Sequence, residues 1–280
     1  MDSTWLSEHI PLDRPNAARM YDYFLGGSHN LEVDRIAAER AIAIYPEFPL
    51  IMRANRAFLR RAVRFLAAQG IDQFLDLGSG IPTVGNVHGI AQTANPAARV
   101  LYVDVDRIAV EHSIALLRDN RHAAAIQADI REPELMLERA RAQGTLDFGR
   151  PMAVLLAFVL HFITDDTTAD GVVQTLRAVM APGSFLALSH STGDGPPGQA
   201  HASLIRLYER SNNPVVSRSP AYLVRWLAGL ELVAPGIVRT PLWRPESPQD
   251  LYLDQPERAS SCAAVARVPG GAPGRLAETT

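Results

Sequence analysis

The stretch Phe74–Gly80 constrains the fold of this chain more than any other part of its sequence. An apolar run ends in Asp76, and Gly78 and Gly80 follow in the pattern D-x-G-x-G. Such a pattern is typical of a buried parallel strand that turns sharply into a helix. Glycine is needed at this turn because a Cβ would obstruct both the bend and the close approach of a ligand. The sequence therefore predicts a ligand-binding turn at the carboxyl end of a strand.

The features of this turn favour one class of nucleoside ligand over another. The dinucleotide fingerprint G-x-G-x-x-G would place its third glycine at position 83, where the chain has Thr83. The carboxylate of Asp76 suits a ligand with a cationic arm, and the amino-acid end of S-adenosylmethionine carries an ammonium group. The turn therefore favours S-adenosylmethionine over a nicotinamide dinucleotide.

Composition narrows the range of partners. The net charge of −3 over 280 residues creates no strong field for nucleic acid or anionic membranes. The single cysteine, Cys262, excludes an internal disulfide framework and fits a reducing compartment. No signal peptide is evident at the N-terminus, and the longest apolar run, Met152–Leu160, is too short to cross a bilayer. We therefore expect a cytoplasmic protein with neither nucleic acid nor membrane as partner.

The hydrophobic pattern changes character near residue 70. Residues 1–70 are predicted to form a helical cap, residues 71–268 a domain of alternating strands and helices, and residues 269–280 a flexible tail. The first helix of the cap is expected to begin after Asp13 and to end at Gly26–Gly27. The second is expected to span Glu32–Ile44. The third is expected to follow Pro46 and Pro49 and to run over Leu50–Ala68.

The domain pattern predicts a doubly wound α/β sheet. Five strand–helix alternations indicate a mostly parallel sheet covered on both faces, and two final strands indicate an antiparallel pair on one edge. The expected parallel strands are Asp72–Leu77, Arg99–Asp104, Ala124–Ala128, Met152–Phe158 and Ser184–His190, and the expected edge pair is Leu230–Val233 with Cys262–Val268.

Three acids mark the ends of three successive predicted strands. Ligands of doubly wound sheets bind beyond the carboxyl ends of the strands, where Asp76, Asp104 and Asp129 are expected to meet. Asp104 is placed to accept from both ribose hydroxyls, and Asp129, with its neighbour Ile130, to read an adenine amino group. Each aspartate has an alternative role as turn former or helix cap, and Asp106 has the same alternative.

Several motifs together resemble a known family. The chain is similar to the actinobacterial S-adenosylmethionine-dependent methyltransferases that were long catalogued only as a domain of unknown function. The resemblance covers roughly residues 11–267. The matching signatures are Arg19–Gly27, Arg53–Arg61, Gln73–Thr83, Tyr102–Asp104, Leu160–Ile163, Asn213–Pro214 and Gly229–Val233.

This resemblance implies a class I methyltransferase fold, Rossmann-like, with an added N-terminal helical segment and S-adenosylmethionine as cofactor. It does not imply an acceptor. The chain departs from the broader methyltransferase pattern at Pro82, where many members have a third glycine. Because proline has no N–H, that position cannot donate to the ligand, and contacts are expected to fall on Gly78, Ser79, Gly80 and the N-terminal segment.

Residues outside the sheet complete the predicted site. Asn55 lies on the inward face of the third helix, where it either bonds a nearby backbone group or lines the cofactor crevice, and Arg56 is placed to pair with the cofactor carboxylate. The aromatic cluster of Tyr21, Tyr23 and Phe24 is expected either to close over a sulfonium or to pack within its helix. Gly26 is expected to end that helix and to contact the ligand if the segment folds over the cleft.

His161 is the candidate catalytic base, with a pKa expected near working pH, and ordinary packing is its alternative role. His190 is a weaker candidate. The leading hypothesis is a methyltransferase acting on a small-molecule acceptor, with no metal. A non-catalytic S-adenosylmethionine sensor and a nicotinamide-dependent oxidoreductase remain as alternatives. The oligomeric state is left open.

Overall fold

The computed structural model of the chain describes residues 14–82, 85–193, 198–209, 211 and 213–270. Thr83, the predicted cap residue Asp13 and residues 271–280 of the predicted tail lie outside the described residues. Within them the fold is α/β, as predicted. The strands are β1 Gln73–Leu77, β2 Arg99–Asp104, β3 Ala123–Gln127, β4 Ala153–Ala157, β5 Phe185–Ser191, β6 Glu231–Leu232, β7 Val238–Arg239 and β8 Ser261–Arg267.

All of these strands belong to one sheet with the order β3-β2-β1-β4-β5-β8-β6, and β7 also pairs with β8. Strands β1 to β5 pair in parallel, whereas β8 runs antiparallel to β5 and to β6. The predicted antiparallel pair near one edge is therefore confirmed. The two-residue strand β7 was not predicted, because so short a segment carries no alternation of apolar and polar residues.

The helices follow the predicted order with two differences. Helix α2 has the predicted bounds, but α3 begins two residues early because Pro49 lies in its first turn, where the missing N–H costs little. Helix α8 was not predicted, since the Gly- and Pro-rich stretch before it indicates a loop. The helices are α1 Ala17–Phe24, α2 Glu32–Ile44, α3 Phe48–Ala68, α4 Val87–Ala94, α5 Arg107–Leu116, α6 Pro133–Gln143, α7 Asp166–Ala178, α8 Gly198–Glu209 and α9 Pro220–Trp226.

Alternate residues of the central strands face two separate hydrophobic cores. Leu75 and Leu77 of β1 pack with α6, α7 and α9, whereas Phe74 packs on the opposite face with α3 and α4. Helix α3, which the sequence placed in the cap, therefore contributes directly to the core of the sheet. No helix in the described part of the chain has the length and apolarity needed to cross a bilayer.

A third core joins the N-terminal helices to the carboxyl ends of the strands. Side chains of α1, α2, α3 and α8 pack there together with Phe158, which directly follows β4. This core forms a helical layer beside the strand ends.

A buried ion-pair network anchors this layer. Asp34 accepts hydrogen bonds from the backbone N–H groups of Asn16 and Leu31, both at 2.9 Å, and from Nε of Arg19 at 2.6 Å. Nη1 of Arg19 lies 3.5 Å from Oδ2 of Asp106, the residue that caps α5 just beyond β2. Because Arg19 and Asp34 are almost fully buried, breaking either pair would leave an uncompensated buried charge. The network therefore holds α1 against the end of the sheet.

Candidate functional site

The D-x-G-x-G turn lies where the strand order reverses, between β1 and β4. Gly78 and Gly80 both adopt left-handed backbone conformations, with φ of +64° and +61°. A Cβ on Gly78 would lie 2.2 Å from Cγ2 of Val159, which follows β4. The N–H groups of Gly78 and Ser79 donate to the carbonyl of Val103 at 2.8 and 3.2 Å. Glycine is therefore required at Gly78 both by conformation and by the close approach of the β4 segment.

Asp104 holds the same turn from the end of β2. Its Oδ2 accepts from the N–H of Gly80 at 2.7 Å and its Oδ1 from the N–H of Asp106 at 2.8 Å. Burial raises the pKa of the Asp104 carboxyl to about 6, although these hydrogen bonds oppose the shift. A carboxylate offers about four acceptor positions, so Asp104 retains capacity to bind hydroxyl groups of a ligand.

Asp76 and Arg56 are both buried, and neither completes its hydrogen bonds within the described residues. Among the described residues, none donates a hydrogen bond to the buried carboxylate of Asp76. Burial raises its pKa to about 7, a shift that the positive charge of Arg56 opposes and the negative charge of Asp104 reinforces. The Nε atom of Arg56 is buried without a hydrogen-bond partner in the described chain, and its guanidinium lies 5.3 Å from the centre of the Tyr21 ring. Buried polar groups are normally hydrogen-bonded, so these two are suited to a ligand with opposite charges.

Asp129 is less buried than the other two acids and already has a partner. Nε and Nη2 of Arg131 pair with its two oxygens at 2.9 and 2.5 Å. Partial burial would raise the pKa of Asp129, but the hydrogen bonds from Arg131 outweigh it and lower the pKa below its usual value. Asp129 is therefore ionised at neutral pH and lies beside Ile130 on the cavity wall.

A chain of hydrogen bonds connects α1, α3 and β5. Nδ2 of Asn55 donates to the Tyr21 hydroxyl at 3.0 Å, and that hydroxyl donates to the carbonyl of Met52 at 3.0 Å. The Ser189 hydroxyl donates to Oδ1 of Asn55 at 2.6 Å. Two side chains thus satisfy Asn55, rather than the backbone group considered from the sequence. The same amide also contributes to the cavity lining, as the second interpretation of Asn55 expected.

The predicted aromatic cluster separates into different environments. Tyr21 lines the cavity, but the hydroxyl of Tyr23 pairs with the exposed Glu39, and Phe24 packs edge-on against Phe48 at 5.2 Å. Gly26 has a φ of +82°, follows the end of α1 and does not contribute to the described cavity lining. The structure therefore supports its helix-terminating role, and its N–H donates to the carbonyl of Tyr23 at 2.9 Å.

The described residues enclose a cavity of about 700 Å³ beside the turn. Most of the predicted site residues line it, and the exceptions are Tyr23, Phe24, Gly26 and the weaker candidate His190. We call one set of lining residues the charged end: Arg56, Asp76, Gly78, Ser79, Gly80, Asp104 and Asp129. We call a second set the aromatic end: Phe48, Met52, Phe158, Phe162, Leu204 and Tyr208.

Sequence reasoning missed the aromatic end. Its members come from α3, the segment after β4, and α8, and they are far apart in the chain. One local signal exists in the structure: Phe158 adopts a left-handed φ of +55°, which is uncommon for a bulky residue. The sequence alone does not reveal that conformation.

His161 lies in the short 3₁₀ turn Leu160–Phe162 and lines the cavity. Its ring lies 5.3 Å from the ring of Phe158 and 4.3 Å from that of Phe162, and its Nδ1 is buried without a partner among the described residues. Burial, with added repulsion from His190 and Arg218, holds the pKa of His161 well below its usual value. The expected pKa near working pH is therefore wrong, because the ring is enclosed by apolar neighbours. His161 is a neutral, weakly basic imidazole at pH 7.

His190 has a structural role, because both of its ring nitrogens are hydrogen-bonded. Its Nδ1 donates to the carbonyl of Ser191 at 2.7 Å, and its Nε2 accepts from Nη1 of Arg218 at 3.3 Å. Burial lowers its pKa to about 4. Arg218 also donates to the carbonyls of Leu160 and Ile163 at 3.1 and 2.7 Å. His190 and Arg218 together hold the turn that carries His161.

Comparisons with known proteins agree with this geometry. A sequence model of the family described as S-adenosyl methyltransferase matches residues 3–269. A provisionally assigned methyltransferase from Thermobifida fusca YX, known as a crystal structure, is 40% identical and has a TM-score of 0.85, over 94% of this chain and 100% of its own. A DUF574 family protein from Streptomyces avermitilis MA-4680 is 37% identical with a TM-score of 0.85, over 92% of this chain and 99% of its own.

A more distant solved structure resembles the chain in its fold alone. The N-methyltransferase NodS from Bradyrhizobium japonicum WM9, solved with S-adenosyl-L-homocysteine, is 15% identical with a TM-score of 0.50, over 90% of this chain and 99% of its own. None of the curated proteins compared with the chain matches it. The predicted class I methyltransferase fold is confirmed by these likenesses, whereas none of these relatives supplies an acceptor.

Proposed function

Since the chain belongs to the S-adenosyl methyltransferase family and is an S-adenosylmethionine-dependent methyltransferase, we propose that its charged end binds the cofactor and its aromatic end a small-molecule acceptor. The observation that carries this proposal is the pair Asp76 and Arg56. Both are buried beside the glycine turn, and neither completes its hydrogen bonds within the described protein. Their charges complement the ammonium and carboxylate of an amino-acid group.

The other predicted residues fit the remaining parts of the cofactor. Gly78, Ser79 and Gly80 line the cavity on a turn with two left-handed residues, Asp104 has free acceptor positions for ribose hydroxyls, and Asp129 with Ile130 suits an adenine edge. Tyr21 offers a ring to a cation, an attraction worth roughly 2 kcal/mol when the cation is desolvated. Asn55 holds the Tyr21 hydroxyl in place.

When bound, the cofactor supplies a methyl group activated by its sulfonium. The protein then needs to align the acceptor and exclude water, and alignment alone supplies a large share of the acceleration. His161 is our candidate for the group that takes the acceptor's proton. Although it is weakly basic, an acceptor atom becomes strongly acidic once it is methylated, so a neutral imidazole suffices.

A small-molecule acceptor and a cytoplasmic setting belong to the same proposal. The helical core of α1, α2, α3 and α8 stands beside the cavity, whose volume of about 700 Å³ falls within the roughly 300–1,000 Å³ of ligand pockets. A nucleic acid would need a broad basic groove instead. The single cysteine supports a reducing compartment.

Calorimetric titration with S-adenosylmethionine and S-adenosylhomocysteine tests the cofactor site. We expect both to bind, and Asp104→Ala to weaken binding by about 1–3 kcal/mol, or roughly 5- to 150-fold, through loss of a charged acceptor. Asp129→Ala is the matched control. Because Asp129 is partly exposed and already paired with Arg131, its loss should weaken binding less.

Absence of heat up to millimolar cofactor would contradict the proposed site. A larger effect of Asp129→Ala than of Asp104→Ala would contradict the assignment of the two carboxylates. Circular dichroism of each variant confirms that the sheet is intact before binding is compared.

A further inference from the structure

The aromatic end has a chemical character of its own. Its side chains pack in one hydrophobic cluster although they come from α3, the segment after β4, and α8. The arginines among the described lining residues are Arg56, Arg107 and Arg131, and each interacts with an acid: Asp76, Glu111 or Asp129. None of them belongs to the aromatic end.

The acidic residues of the lining also come from other parts of the fold than the rings of the aromatic end. Asp76, Asp104, Asp106 and Asp129 lie at or just beyond the carboxyl ends of β1, β2 and β3. The remaining described acid of the lining, Asp165, is exposed at the start of α7, where its carboxylate accepts two hydrogen bonds from Thr168. A charged acceptor would therefore lose its hydration at the aromatic end, where no residue of that set carries an opposite charge.

Uncharged hydrogen-bonding groups are present instead. Tyr208 is buried, and no described residue hydrogen-bonds to its hydroxyl. Burial raises the Tyr208 pKa, so the hydroxyl stays protonated and neutral. Nearby polar groups are already engaged, since Oδ1 of Asn213 accepts from Ala17 and the hydroxyls of Ser191 and Ser217 pair with each other. Tyr208 thus offers a neutral hydrogen-bonding group within an apolar wall.

The aromatic rings of this end form two contact groups. Phe48 and Tyr208 form one, with ring centres 6.3 Å apart, and Phe158 and Phe162, each in ring contact with His161, form the other. Flat rings gain most from packing against such faces, in stacked or edge-on arrangements. The rings and the lack of charged side chains at the aromatic end therefore both favour a flat, uncharged molecule.

On the basis of the proposed function, we propose that the methyl acceptor is an uncharged aromatic compound bearing a hydroxyl or amino group, and that the Tyr208 hydroxyl hydrogen-bonds to it. The acceptor's oxygen or nitrogen lone pair forms a bond to the methyl carbon. The carbon–sulfur bond breaks with its electron pair going to sulfur, and the acceptor's proton passes to the neutral imidazole of His161 and then to water.

Three probes with one ring system and different charges test this substrate class. The protein is saturated with S-adenosylhomocysteine, and binding of 2-naphthol, 2-naphthoate and 2-naphthylmethylammonium is measured by calorimetry. We expect 2-naphthol to bind at least about tenfold more tightly than either ion, because only the ions lose hydration without a counter-charge. Tyr208→Phe should weaken 2-naphthol by about tenfold through the lost hydrogen bond while S-adenosylhomocysteine still binds normally.

Tyr222→Phe is the control, because it removes a hydroxyl that pairs with the exposed Asp166 outside the cavity. It should leave 2-naphthol binding unchanged. Equal or tighter binding of either ion, binding of none of the probes, or an equal loss in both tyrosine variants would overturn the assignment of the acceptor. Failure of S-adenosylhomocysteine itself to bind would instead contradict the proposed function, so the two failures are distinguishable.

Discussion

The charged end and the aromatic end of the cavity are built in opposite ways. The charged end takes most of its residues from turns at the ends of three neighbouring strands, and much of its shape comes from the backbone. The aromatic end takes only side chains, and they come from separated parts of the chain. Strand ends are adjacent in any doubly wound sheet, whereas facing side chains on separate helices depend on how those helices pack. The difference means that a local motif can specify the cofactor while tertiary packing specifies the acceptor.

The largest expected effect tests whether the charged end depends on its backbone. Gly78→Ala introduces a Cβ at φ +64° and only 2.2 Å from Val159. We expect the free energy of unfolding to fall by about 2–5 kcal/mol, since a left-handed alanine costs roughly 1–2 and overpacking roughly 1–3. Urea denaturation measures the change.

Gly26→Ala is the matched variant, because Gly26 also has a left-handed φ but no described heavy atom lies within 4 Å of the position that its Cβ would take. Its free energy of unfolding should fall only by the cost of a left-handed alanine, about 1–2 kcal/mol. Equal losses in the two variants would show that contact with Val159 does not constrain the turn.

A smaller effect separates the two ends by their response to pH. The pKa of Asp76 is raised from 3.8 to about 7 by folding, so the folded chain binds a proton more readily than the unfolded chain. The contribution of Asp76 to stability therefore falls as pH rises from about 4 to 7 and is constant above 7. The ammonium of S-adenosylhomocysteine requires the ionised carboxylate, so its affinity should fall about tenfold per unit as pH decreases below 7. Calorimetry across this range measures it.

Two controls accompany the pH series. Asp76→Asn should bind S-adenosylhomocysteine more weakly and without the change around pH 7, leaving the change near pH 6 expected from Asp104. Binding of 2-naphthol to the complex should stay constant between about pH 6 and 8, because Tyr208 and His161 do not change their charge there. A pH-dependent naphthol affinity would break the distinction between the ends.

The smallest expected effect concerns Tyr21, which lines the cavity but belongs to neither end. Tyr21→Phe removes the hydroxyl that accepts from Asn55 and donates to Met52, and we expect a loss of about 1 kcal/mol in unfolding free energy. Tyr23→Phe on the same helix removes a hydroxyl bonded to the exposed Glu39 and should change stability little. Thermal denaturation of both variants compares them, and equal shifts would remove the special role given to the Tyr21 hydroxyl.

Much of the fold could be predicted because apolar runs and glycine positions act locally. The five parallel strands, the bounds of α2 and the turn after β1 follow from such signals. Helix α8 and strand β7 could not be predicted, because neighbouring glycines and prolines or very short length hide them. The near-neutral pKa expected for His161 was wrong because a pKa depends on burial, and burial depends on residues from other elements.

The sequence by itself determined the sheet, the glycine turn and the three strand-end acids, because each is encoded within a few consecutive residues. Only the tertiary structure decided which helices stand beside that turn and which rings face one another across the cavity. It also placed Gly26 outside the described lining and left Arg56 near Asp76 with an Nε that no described residue binds. Burial and contact between distant residues are properties of the packed chain, so the cofactor was readable from the motif and the character of the acceptor site was not.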